Sequence, residues 1–179
     1  YRDLVDIGCS HYKPFIVNAR STTTDIQDKT GNVVYRALAP AGQKTILENG
    51  KSSLTPFDFV VATYSQFNKN NLDANLGEIK VDTKGSFLLD ISKDAILILD
   101  ESHNASGSSK TGSFVRMVLE QAKRVIFLSA TFAERPDNMT IYSNNTVLSE
   151  TNLKPEEMQQ AFERGGVAIQ ELVASQLVK

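Results

Sequence analysis

Two adjacent carboxylates, Asp100 and Glu101, follow the unbroken apolar run Ala95-Ile96-Leu97-Ile98-Leu99, and Ser102 and His103 come directly after them. A dense apolar block of this length reads as a parallel strand buried on both faces. Open parallel sheets bind ligands beyond the carboxyl ends of their strands, which is where this run leaves the acidic pair. Carboxylates so placed suit two tasks in nucleoside triphosphate hydrolysis. One holds Mg2+, a hard ion that takes oxygen ligands, and the other orients or deprotonates the attacking water. Asp-Glu also caps helix N-termini, so the pair alone leaves that structural role equally open.

A second element sharpens the reading. The run Val125-Ile126-Phe127-Leu128 ends in Ser129-Ala130-Thr131, delivering two hydroxyls at a strand end. Between the two runs, Phe114, Met117, Val118, Gln121 and Ala122 fall at helical spacing, with Lys123 and Arg124 expected in the last turn, where cations complement the helix dipole. Strand, helix, strand in this order predicts a crossover that builds a parallel sheet covered by helices, hence an α/β doubly wound fold. A third dense strand is expected over residues 57–63, and shorter ones over 14–17 and 32–38. Residues 1–8 read as the last turns of a helix ending at Gly8, while 21–31 and 40–55 read as loops from their Gly, Thr, Ser and Lys content. Residues 154–179 read as helical with a break at Gly165-Gly166, and their stripe of Val167, Leu172, Val173 and Leu177 is assigned to the core.

Bulk properties narrow the classes. The chain of 179 residues, 41% hydrophobic and 22% charged, is long enough for one domain with its own core. Nineteen basic and 21 acidic residues give a net charge of -2, so any contact with a polyanion must be local. Cys9 is the one cysteine, which rules out an internal disulfide and a multi-cysteine zinc site and suits a reducing compartment. No apolar run approaches the roughly 18 residues of a membrane span, and no secretory signal opens the chain, so an intracellular setting, cytoplasm or nucleoid or nucleus, with no membrane partner is expected. The glycosylation-type triplets at Asn104, Asn138 and Asn144 are read as chance matches.

Asp-Glu-Ser-His followed one helix later by Ser-Ala-Thr resembles motifs II and III of superfamily 2 helicases. That resemblance implies a RecA-like sheet flanked by helices, of the P-loop NTPase type, with ATP and Mg2+ as cofactors. It implies that Asp100 holds Mg2+ through water, that Glu101 activates the hydrolytic water, and that His103 contacts Ser129 or Thr131 to link hydrolysis to domain movement. The chain further resembles the strawberry notch family of helicase-like proteins. The segments that carry this likeness are residues 1–8, Ala62-Thr63-Tyr64-Ser65, Ser109-Lys110-Thr111-Gly112, residues 134–139 from Glu134 to Met139, and residues 161–168 with 171–174. They span nearly the whole chain, with 18–56 matching loosely. Ser102 stands where that family commonly has cysteine, and Phe132 where it has glycine, and neither replaces a catalytic group. By the same resemblance Thr63, Tyr64 and Ser65 are candidates for contact with a nucleic-acid backbone, through hydroxyls that bond phosphate oxygens. Their competing role is to start a helix in which Tyr64 and Phe67 fill the core.

A motor of this class needs a Gly-x4-Gly-Lys-Ser/Thr loop to cradle the phosphates, and the sequence contains none. Gly107-Ser108-Ser109-Lys110-Thr111 comes nearest, but Ser109 stands at the second glycine and the preceding spacing fails. The chain is therefore expected to be part of a first RecA-like domain whose phosphate loop precedes Tyr1 and whose arginine-bearing partner domain follows Lys179, and to have no ATPase activity alone. Arg135 is not taken as a substitute finger. Two other classes stay open: a regulatory or protein-interaction scaffold that keeps the fold without using ATP, and a metal-dependent hydrolase on Asp100, Glu101 and His103, disfavoured because His11 is the only other histidine.

Overall fold

The computed structural model describes residues 6–17, 25–73, 78–105, 109–129, 135–143 and 145–177. In chain order the regular elements are β1 (Pro14–Val17), β2 (Ile26–Gln27), β3 (Val33–Tyr35), α1 (Pro40–Asn49), β4 (Phe59–Ala62), β5 (Asn71–Asp73), β6 (Glu78–Lys80), α2 (Thr83–Ser92), β7 (Ile96–Asp100), α3 (Lys110–Gln121), β8 (Arg124–Leu128) and α4 (Pro155–Leu177). The chain is mixed α/β. Among the described residues the strands pair as four two-stranded sheets, parallel for β1 with β4 and β7 with β8, antiparallel for β2 with β3 and β5 with β6. No described helix is long and apolar enough to cross a membrane. Two compact units emerge, one of residues 1–67 with 82–91, the other of 68–81 with 92–179.

In the first unit β1 lies parallel to β4, with Pro14 opposite Phe59 and Val17 opposite Ala62. Its core gathers Phe15, Val17, Leu47, Phe87 and Ile91. The Phe15 ring sits 5.4 Å from that of Phe57 and 5.6 Å, edge on, from that of Phe87. Helix α1 corrects the expectation of a loop over 40–55. Pro40 opens the helix, where a missing amide hydrogen costs nothing, and Gln43 and Leu47, one turn apart, form its buried side. The Gln43 side chain donates to the Ile16 carbonyl at 3.2 Å, so a polar residue occupies a core-facing position with its hydrogen bond made. Helix α2 was not anticipated either. Asp82 precedes it and accepts from the Gly85 amide at 2.9 Å, as an N-cap does, and Phe87 and Ile91 provide its buried stripe.

The second unit holds the expected strand, helix, strand. β7 and β8 run parallel in register from Ile96 opposite Arg124 to Asp100 opposite Leu128. Burial alternates along both strands, as the two-residue period of a sheet requires. Leu99 is buried and Leu97, Val125 and Phe127 are partly so, whereas Ile96 at 58% and Ile98 at 63% are exposed together with Ile126 and Leu128. These strands were expected to be covered on both faces, and one side of the pair is open instead. α3 starts at Ser109, whose hydroxyl accepts from the Gly112 amide at 3.0 Å, and buries Phe114, Val115, Val118 and Leu119. It ends at Gln121, so Lys123 and Arg124 lie beyond its last turn and Arg124 begins β8. Its termination there frees the chain for a strand of β-branched and aromatic residues.

α4 is two helices in series, because Gly166 has φ 58 and ψ -154. Its first half buries Met158 and Phe162. The expectation that the later stripe is core is corrected for Val167, 66% exposed, and Leu172, 60% exposed, whereas Val173 is half-buried and the Leu177 side chain lies outside the described residues. The backbone reversal at Gly166 takes the second half out of line with the buried side of the first.

Candidate active site

The site is assembled at the carboxyl ends of β7 and β8. Because the strands are parallel and in register, the residues after Asp100 and after Leu128 emerge at the same rim. By alternation Asp100 shares the exposed side with Ile96 and Ile98. Glu101 then takes a left-handed backbone with φ 48, a conformation that L side chains adopt at a cost of about 1–2 kcal/mol. This turn reverses the chain into a short 3-10 helix, Ser102–Ala105, closed by the Asn104 amide donating to the Glu101 carbonyl at 2.9 Å. Ser102 is thereby fully buried, while His103 is half-buried above the end of β8.

His103 Nδ1 lies 2.9 Å from Ser129 Oγ, the hydrogen bond expected between the second and third motifs. The same nitrogen stands 3.4 Å from Glu101 Oε2. Glu101, His103 and Ser129 are thus brought together, and Asp100 is joined to them through the chain, its Oδ1 accepting from the Glu101 amide at 3.0 Å. A serine nucleophile served by a His-acid relay needs serine and acid on opposite ring nitrogens. Here both contacts fall on Nδ1, so the trio is not arranged as a hydrolase triad.

Tyr142, which the motif reading missed, completes the network. It ends the 3-10 helix Pro136–Tyr142, is buried, and places its hydroxyl 2.7 Å from Ser102 Oγ. Its ring meets Phe127 edge to face at 4.8 Å, and Phe127 lies on the same side of β8 as Ser129. Burial holds the Tyr142 hydroxyl above the usual phenol range, an effect partly offset by Ser102 and Ser129. Its mostly polar sequence surroundings, from Asp137 to Asn145, do not announce burial, and a tyrosine that is buried needs a partner for its hydroxyl.

The donor set fits Mg2+ of the kind held largely by water. Asp100 is an exposed carboxylate, and Mg2+ commonly takes one or two protein carboxylates and keeps several waters. Among the described residues no group of three His, Cys, Asp or Glu is gathered in the manner of a metal cage. Ala130 and Thr131 lie outside the described residues, as do Gly107 and Ser108 of the rejected loop candidate. In that candidate Ser109 acts as the cap of α3. Arg135 is paired with Asp137 through contacts of 2.8 and 3.1 Å.

Thr63, Tyr64 and Ser65 belong to the first unit. Thr63 and Ser65 bond each other through their hydroxyls at 2.9 Å, and Tyr64 opens the 3-10 helix Tyr64–Phe67, in which Phe67 is buried. Ser65 is exposed and Tyr64 half-buried, so a core-filling role falls to Phe67 more than to Tyr64. Comparison with known proteins returns no match to any family model, curated protein or solved structure.

Proposed function

We propose that this chain carries the hydrolytic half of a superfamily 2 helicase-type ATPase, a RecA-like motor segment whose ATP turnover is coupled to nucleic acid. The observation that carries the reading is the 2.9 Å contact of His103 with Ser129 across the ends of two parallel strands, one of which also delivers Asp100 and Glu101. Strand-end carboxylates and a cross-strand histidine-hydroxyl link are what such a motor needs to sense the nucleotide and pass the signal on. In this reading Asp100 holds Mg2+ through water, and the ion, when bound, neutralises charge on the phosphate oxygens. Glu101 accepts a proton from the attacking water as general base, a contribution of roughly 10²–10⁴ in rate. Its exposed carboxylate, carried on a strained turn, keeps one oxygen 3.4 Å from His103 Nδ1 and would turn the other toward a water above the rim. His103 reports through Ser129 to β8. Thr63 and Ser65 supply hydroxyls to a nucleic-acid backbone, with the second motor domain of the parent protein as the partner across the nucleotide.

The test uses a polypeptide in which these residues accompany a phosphate-binding loop. Glu101→Gln is expected to lower ATP turnover at least about 100-fold while nucleotide affinity stays within about threefold, since it removes a transition-state role and not ground-state binding. Turnover indifferent to Glu101→Gln, or a protein that binds no Mg-ATP with or without DNA or RNA, would replace this reading with that of a regulatory scaffold.

A further inference from the structure

The turn that presents Glu101 combines local hydrogen bonds with anchors from elsewhere in the second unit. The Glu101 amide donates to Asp100 Oδ1 at 3.0 Å, and the Asn104 amide donates to the Glu101 carbonyl at 2.9 Å. Both bonds lie within the turn itself, so neither ties it to its surroundings. His103 reaches out to Ser129 at 2.9 Å, and Ser102 reaches Tyr142, 40 residues along the chain, with 2.7 Å between the two hydroxyl oxygens. These anchors differ in burial. His103 is half-buried, so water can take over its bond, whereas Ser102 is 0% exposed and Tyr142 3%. A left-handed backbone under an L side chain persists only where its surroundings over-determine it, and Glu101, at φ 48, directly precedes the deeply buried anchor.

We propose that Ser102 is a positioning residue of this site: its buried hydroxyl, held by Tyr142, locks the left-handed turn at Glu101 and so keeps the carboxylate at the rim. The proposal rests on the ATPase reading for its catalytic consequence, but its structural half stands on the turn alone. Tyr142 is a firm anchor. Its ring meets Phe127 of β8 edge to face at 4.8 Å, and it closes a 3-10 helix in which Met139 is 0% exposed and Ile141 1%. Loss of the Tyr142 hydroxyl leaves that of Ser102 buried with this bond unmade, a cost that rotating the turn and bringing Ser102 to water relieves. The same rotation returns Glu101 to an ordinary backbone and swings its carboxylate from its place 3.4 Å from His103 Nδ1.

The turn has its own spectroscopic signature. At φ 48 the amide and α hydrogens of Glu101 stand closer than in a strand or right-handed helix, so the 179-residue chain shows a strong NOE cross-peak between them. Ser102→Ala is expected to reduce that cross-peak to the intensity of ordinary residues. In the polypeptide that includes a phosphate-binding loop, the same variant is expected to lower kcat for ATP about tenfold with KM within about twofold, because it misplaces a transition-state group without touching ground-state binding. Tyr142→Phe keeps the ring against Phe127, removes the other half of the tie and is expected to give both changes, which keeps the test alive if Ser102→Ala fails to fold. A folded variant that retains the strong Glu101 cross-peak overturns the proposal, even if its stability falls, since the bond is then merely structural. Loss of the cross-peak with kcat unchanged, where Glu101→Gln abolishes turnover, overturns the positioning role. If Glu101→Gln leaves turnover intact, the ATPase reading fails, while the cross-peak still judges whether Ser102 holds the turn.

Discussion

Glu101 pays for its position with an unfavourable backbone, and that cost is measurable. Replacing it with glycine relieves about 1–2 kcal/mol of left-handed strain and adds about 0.5–1 kcal/mol of unfolded-state entropy. Glu101→Gly is therefore expected to stabilise the chain by about 0.5–1 kcal/mol in chemical unfolding, whereas Glu101→Gln leaves stability nearly unchanged. A destabilised Glu101→Gly variant would show that the turn is not strained. Asp28 offers a pH test in the β2–β3 hairpin. The Thr30 hydroxyl above all, with the Thr30 and Asn32 amides and the Asn32 side chain, outweighs the opposing effect of desolvation and brings its carboxyl down to about 2. A depressed acid stabilises the fold above its unfolded pKa of 3.8, and that stability is lost as pH falls toward 2. The Thr30 and Asn32 amides should thus titrate by NMR near pH 2, and midpoints near 3.8 would refute the hydrogen-bonded turn. At this scale the placement of Asp100, Glu101, His103 and Ser129 at one strand rim was legible, because each follows closely on an apolar run in the sequence. Tyr142 was not, because its partner Ser102 is 40 residues away and nothing local announces the contact.

At the scale of elements, dense apolar runs were legible and sparse amphipathic ones were not. β7 and β8 declare themselves in unbroken aliphatic stretches, within a residue of their observed ends. α1 hides because its buried side consists of Gln43 and Leu47, and a glutamine facing the core gives no hydrophobic period to read. α2 had an available signal in Asp82 before Phe87 and Ile91, an N-cap followed by a one-turn apolar repeat. The break in α4 was legible from its paired glycines, and both are required there. A Cβ on Gly165 would collide with the side chain of Ile169, whose own Cβ would lie 2.7 Å away, and Gly166 has a backbone that other residues rarely adopt. Gly166→Ala is expected to cost about 1–3 kcal/mol in thermal or chemical unfolding. A neutral result would mean that α4 straightens without penalty.

Across the whole molecule, sheet order was the least legible property, since pairing between distant strands leaves no mark on local pattern. One doubly wound sheet was expected, and the described strands form separate pairs within two units. Each unit has its own large buried aromatic, Phe15 in the first and Phe114 in the second. Truncation of either to alanine is expected to lower unfolding free energy by about 3–5 kcal/mol, measured by denaturant titration. The bare side of the β7–β8 pair, bearing Ile96, Ile98, Ile126 and Leu128, has a bearing on handling the protein in solution. Four aliphatic side chains exposed on one side of a strand pair are sticky toward other copies, so the purified chain should coalesce into larger particles as concentration rises. Charging that ribbon with Ile98→Lys ought to delay the onset in light scattering while leaving the His103–Ser129 contact undisturbed on the opposite side.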